Sequence, residues 1–208
     1  MDSNWASEHL QVIRTLMERS AVYRRALAPI MLVSGLIGIA AGLIPRTQPI
    51  LTCRSFGLYW TGVSFFAILA GFLLVRKQAL KEAEVFFSPP TKRVTQALLP
   101  SFFLGLVAGL FFVLEGDKFN ASPALLAIFW TAIYGCALHA AGFFMQRGIK
   151  LFAWLFLLGS SLLLLGYSSL PLLQSPESAH NIMGGFFGVL HLAYGVYLYF
   201  TEHQRKSV

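Results

Sequence analysis

The apolar positions of the chain fall into six runs, near Ala26–Ile44, Ser55–Val75, Ala97–Leu114, Pro123–Met145, Leu151–Leu170 and Asn181–Phe200, with short polar stretches between them. Each run approaches or reaches the ~20 residues that cross about 30 Å of hydrocarbon at 1.5 Å per residue. Apolar residues are continuous within the runs and do not alternate with polar ones, which argues against a transmembrane β-barrel. Backbone groups in lipid must find their partners inside the segment, so the runs are helices. The pattern predicts an all-α, polytopic membrane helix bundle of six transmembrane helices over residues 26–200.

Two polar pieces flank and interrupt this domain. In residues 1–25, Leu10, Ile13, Met17 and Ala21 recur every three or four positions, with Arg14 and Glu18 elsewhere around the helix. That spacing predicts an amphipathic helix, either lying on the membrane surface or docking a partner or second subunit. Between the second and third runs, good helix formers extend to about Glu84. Ser88-Pro89-Pro90 then breaks the helix, and Thr91 is placed to cap the next one. Residues 201–208 form a polar tail.

Charge gives the orientation. Arg14, Arg19, Arg24, Arg25, Arg76, Lys77, Lys81, Lys92, Arg93, Arg147, Lys150, Arg205 and Lys206 share one side, against Arg46, Arg54 and Lys118 on the other. The positive-inside rule makes the first side cytoplasmic, with both termini there. The net charge of +7 is thereby assigned to a basic inner face that meets anionic lipid headgroups, and no nucleic-acid partner is needed to explain it.

Composition agrees. The chain of 208 residues is 56% hydrophobic and 12% charged, with a mean hydropathy of +0.66, whereas soluble domains carry about 25% charged residues. The first apolar run starts near Ala26 and is followed by further spans, so no cleaved leader is expected. Of the two cysteines, Cys53 is expected in the first outer loop, open to reagents from outside, and Cys136 within the fourth span. Different surroundings argue against a disulfide.

Glycines recur on one helix face in most spans: Gly35, Gly38 and Gly42; Gly105 and Gly109; Gly135 and Gly142; Gly159 and Gly166; Gly184 and Gly188. Small residues let helices approach closely in lipid. Two histidines lie on these stripes: His191 between Gly188 and Gly195, and His139 between Gly135 and Gly142. An ionisable residue facing a bundle interior is a candidate site. His139 and His191 are therefore candidate ligand or polar-contact residues, with Tyr134 and Tyr194 as nearby partners by type. His180 and Glu115 are candidates at the outer rim, where His180 has Glu177, Glu115 and Asp117 as possible counter-charges. The bland role of each histidine, one hydrogen bond across the bundle, is preferred. No carboxylate lies within a span, which speaks against a proton relay, and no third ligand accompanies the pair at metal spacing. A haem held between His139 and His191 is the alternative cofactor reading. "YWT" at 59–61 and "FWT" at 129–131 hint at an internal repeat.

The segments "RTLMERSAVYRRALAPIM", "VRKQALKEAE", "SPPTKRVTQALLP" and "HLAYGVYLYFTE" resemble a family of bacterial multi-pass membrane proteins with no assigned activity. The resemblance covers nearly the whole chain and implies location in the bacterial inner (cytoplasmic) membrane, with no chemistry to carry over. The expected function is non-enzymatic: a small integral membrane protein binding a partner, lipid or small apolar ligand, with self-association into a homo-oligomer left open. A small-solute transporter or exporter, and a bis-histidine haem redox protein, are the alternatives.

Overall fold

The computed structural model describes residues 21–44, 52–81, 89–145 and 147–206. The expected N-terminal amphipathic helix falls on residues 1–20, outside this set. Among the described residues the fold is all-helical, with no strands. Helix α1 is Ala21–Leu43, α2 is Cys53–Lys81, α3 is Pro89–Glu115, α4 is Pro123–Ala141 and α5 is Arg147–Gly166. A 3₁₀ turn, Pro171–Gln174, leads into α6, residues 176–206, which is α-helical over Pro176–Met183, π-helical over Gly184–Leu190 and α-helical again over His191–Lys206.

Helices α2 to α6 are long and apolar enough to cross a membrane, and the apolar part of α1, Leu27–Leu43, is shorter. Its 17 residues give about 26 Å, at the lower limit for a span. The outward faces are those of a protein in lipid. On α2 and α3, Phe65, Phe66, Phe103 and Leu106 are all more than 60% exposed. In water this surface would be a large apolar patch of the kind that marks an interaction site or an aggregation hazard.

Segment boundaries in α3, α4, α5 and α6 differ from the sequence pattern, with local causes. Helix α4 stops at Ala141 rather than Met145, because Gly142 caps it and residues 143–145 turn. Helix α5 starts at Arg147 and ends at Gly166, both about four residues earlier than the apolar run, with Pro171 opening the following 3₁₀ turn. Helix α6 begins five residues before Asn181: the Ser175 side chain accepts from the Ser178 N–H, and Pro176 occupies the first turn, where its missing N–H costs nothing. Helix α3 begins at Pro89, where a proline's missing N–H likewise costs nothing, so Thr91 lies buried inside the helix and is not its cap.

Packing runs around the bundle. Helix α1 lies between α2 and α6; α4 lies between α3 and α5 and also touches the upper part of α6. "Upper" here denotes the end bearing the 116–122 loop. The core has two centres. The upper one gathers Phe56 and Trp60 of α2, Leu126 and Ile128 of α4, and Ile182 and Met183 of α6. The lower one gathers Leu27 and Met31 of α1, Leu138 of α4, Ile149, Phe152 and Phe156 of α5, and Leu198 of α6.

Helices α1 and α6 are antiparallel and meet along a glycine seam. Gly35 faces Leu192, Gly38 faces Phe187 and Gly188, and Gly42 faces Gly184. A Cβ on Gly35 would lie 2.5 Å from the Leu192 backbone nitrogen, and one on Gly188 would lie 2.7 Å from that of Ile39. Close backbone approach here depends on the absent side chains.

Candidate functional site

The π turn shapes the bundle's central polar site. An i→i+5 turn widens the helix and often marks a functional position. Here it carries three glycines, Gly184, Gly185 and Gly188. Two of them fit the seam against α1, while a Cβ on Gly185 would meet nothing within 4 Å. The next residue below the turn is His191, only 3% exposed. Its Nδ1 lies 3.0 Å from the carbonyl oxygen of Phe186, one wide turn above. A carbonyl only accepts, so Nδ1 carries the proton, and in the neutral ring Nε2 then presents its lone pair. The Tyr134 hydroxyl of α4, 2.8 Å from Nε2, must therefore be the donor. Both ring nitrogens are thus used within the bundle, in the hydrogen-bond pattern of a neutral imidazole.

Aromatic rings enclose this pair. Phe187 stacks on His191 at 5.9 Å between centroids, while Phe152 and Phe156 of α5 meet it edge-on at 5.2 and 5.6 Å. Tyr134 packs in turn on Phe156 and Phe187. An uncharged imidazole suits this setting, since a charge at mid-membrane costs about 2.5–3.5 kcal/mol even on the mildest scale.

Tyr194, one turn below His191, stacks on Phe152 at 4.5 Å, and its hydroxyl occupies the space a Cβ on Gly148 would need. It seals the lower end of the aromatic cluster where α5 meets α6.

His139 is elsewhere. With α4 ending at Ala141, it sits in the last turn of that helix. Its ring meets Phe143 and Trp154, both exposed, and among the described residues it shares no ring neighbour with His191. A bis-histidine haem does not fit this arrangement. The two imidazoles do not face one another, and both nitrogens of His191 are engaged within the bundle. Among the described residues no group of three or more His, Cys, Asp or Glu side chains is placed to hold a metal ion.

His180 departs from its expected place on the rim. It is 5% exposed within the upper core, where the Trp60 indole N–H donates to its Nδ1 at 3.1 Å. Phe56 and Tyr59 pack edge-on against it. The carboxylates once available to it have other duties. Glu115 pairs with Lys118 at 2.8 Å on the surface. Asp117 accepts from the Cys53 N–H at 2.8 Å, satisfying a backbone donor at the start of α2. Cys53 is accordingly not an open loop residue. It is the first residue of α2, 1% exposed, and its thiol donates to the Ala121 carbonyl at 2.8 Å. Cys136 is the exposed cysteine.

Trp60 was visible in the sequence only as part of a possible repeat. Its counterpart Trp130 donates to the Gly105 carbonyl at 2.8 Å, a different task. Phe186 gave no signal at all, because its contribution to the polar site is a carbonyl exposed by the π turn.

A third feature opens sideways. Between the upper parts of α5 and α6 lies a groove of about 750 Å³, floored by Gly185, Phe186 and Val189 and walled by Leu163, Leu172 and Leu173. The volume falls in the ~300–1,000 Å³ range of small-molecule sites.

No family model, curated protein or solved structure matches this chain.

Proposed function

We propose that this protein is a non-enzymatic integral membrane protein that binds lipid or a small apolar ligand through its helix bundle. In this reading it resides in the inner membrane of a bacterium, with the basic lower end and both termini in the cytoplasm. The observation that carries the reading is the closure of the interior polar groups on one another. His191 is tied to Tyr134 and Phe186, and His180 to Trp60, while the accessible concavity is apolar. Such an interior offers apolar surface to a ligand rather than a polar path for a solute.

The test is native mass spectrometry of the full chain purified in mild detergent, paired with flux assays in proteoliposomes. Retained phospholipid at fixed stoichiometry, without saturable solute flux, is the expected outcome. Lipid-free protein that supports saturable flux would replace this reading with the transporter one. Orientation is tested separately. Lys118→Cys lies on the exposed 116–122 loop, and an impermeant thiol reagent should reach it from outside intact spheroplasts. Labelling only after lysis would invert the assignment.

A further inference from the structure

We infer that the groove between α5 and α6 holds one acyl chain of a phospholipid whose ammonium headgroup is received by Glu177. This rests on the lipid-binding reading above and names its site and chemistry.

Three observations converge. The first is the lining of the groove. Its surface is almost wholly apolar, with Ile182, Phe186, Val189 and Leu190 along it, and Glu177 stands at its upper mouth. That is the profile of a site for an apolar tail whose polar head lies at the rim. The second is length. From Glu177 to Leu190 the helix advances thirteen residues, about 20 Å at 1.5 Å per residue. One leaflet contributes roughly half of the ~30 Å hydrocarbon thickness. The groove therefore runs from headgroup level to the bilayer centre, where the medium already supplies chains of that length. The third is charge. Glu177 is exposed at the mouth and makes no ion pair with any described residue. A carboxylate there favours a lipid presenting an ammonium group and disfavours one with a net negative head.

Gly185 makes the idea testable. It lines the groove, and a Cβ built on it meets nothing within 4 Å. Gly185→Leu should fill the groove without disturbing a helix contact, and a glycine in a helix is replaced by leucine with a gain in helix propensity.

The experiment takes the full chain delipidated in detergent and exposes it to mixed micelles of phosphatidylethanolamine or phosphatidylglycerol. Retained lipid is counted by native mass spectrometry. Wild type should retain phosphatidylethanolamine about tenfold better than phosphatidylglycerol. Glu177→Gln should abolish that preference while leaving the tail bound. Gly185→Leu should lose the tightly held lipid, with its unfolding temperature not lowered. As a measurement independent of any substitution, a phosphatidylethanolamine bearing a photoreactive tail should label the peptide spanning residues 182–190. Lipid retention that is unaffected by Gly185→Leu, or labelling spread evenly over the outward faces of α2 and α3, would overturn the groove assignment and leave lipid binding by the bundle standing. An unaltered headgroup preference in Glu177→Gln would overturn the role of Glu177. Wild type that retains no lipid at all would overturn both this inference and the function it rests on.

Discussion

Tyr134 donates to Nε2 of His191 across 2.8 Å, and the same ring donates through Nδ1 to the carbonyl of Phe186. The hydroxyl comes from α4 and the imidazole from α6, so the bond ties together two helices far apart in sequence. The π turn between Gly184 and Leu190 supplies the carbonyl, and the glycine seam against α1 holds the turn in place. A polar residue in the middle of an apolar helix is thus accounted for without a bound ligand.

The pair should show modest, non-additive energetics. Tyr134→Phe leaves the Nε2 acceptor unmet, and His191→Leu removes the ring. Each should destabilise the protein by about 1 kcal/mol, and the cycle should give a coupling near the ~0.6 kcal/mol average for membrane interhelical hydrogen bonds. The check is reversible unfolding in mixed micelles. Strict additivity would mean that the two side chains do not interact. His139→Leu should behave independently of both.

The glycine seam predicts a sharper contrast. Gly188→Ala puts a methyl against the Ile39 backbone, and Gly35→Ala puts one against the backbone of Leu192. Overpacking of this kind costs typically ~1–3 kcal/mol. Gly62→Ala, whose Cβ meets nothing within 4 Å, should be neutral or slightly stabilising. Thermal unfolding of the three variants decides, and equal effects at all three sites would contradict the seam.

For Cys53 the prediction is opposite to the one suggested by the chain's polarity alone, while for Cys136 the sparing by impermeant reagents is unchanged. A buried Cys53 thiol that donates to Ala121 should resist impermeant reagents from either side of the membrane until the protein is unfolded. Cys136, exposed toward lipid, should react with a membrane-permeant maleimide and not with an impermeant one. Rapid labelling of Cys53 in the folded protein would require the start of α2 to be open.

How much of this was legible can be traced residue by residue. Continuous apolar runs identify helices because lipid leaves the backbone no other option. The face shared by Gly35, Gly38 and Gly42 announced a close contact, although not its partner. Ser175-Pro176-Glu177 is a helix start by every local rule, with cap, N1 proline and acidic first turn. Hydropathy hides it because this first turn is polar. His139 looked like a residue well inside the span only while Gly142 was counted within the helix. The meeting of Tyr134 with His191 depends on which helices are neighbours, and on a π turn that adds a residue to the helical period. Neither leaves a periodic trace in one sequence. His180 shows the same limit: its partner Trp60 lies 120 residues away.

The most direct test of a self-satisfied interior is the protonation pattern of His191. Side-chain ¹⁵N spectroscopy of the histidine-labelled protein in lipid bilayers at neutral pH, assigned with His191→Leu, reads it without perturbing the site. The account predicts a neutral ring with the proton on Nδ1 and Nε2 accepting a hydrogen bond, and predicts that Tyr134→Phe shifts the Nε2 signal. An imidazolium, or a proton on Nε2, would contradict the neutral ring that accepts from Tyr134.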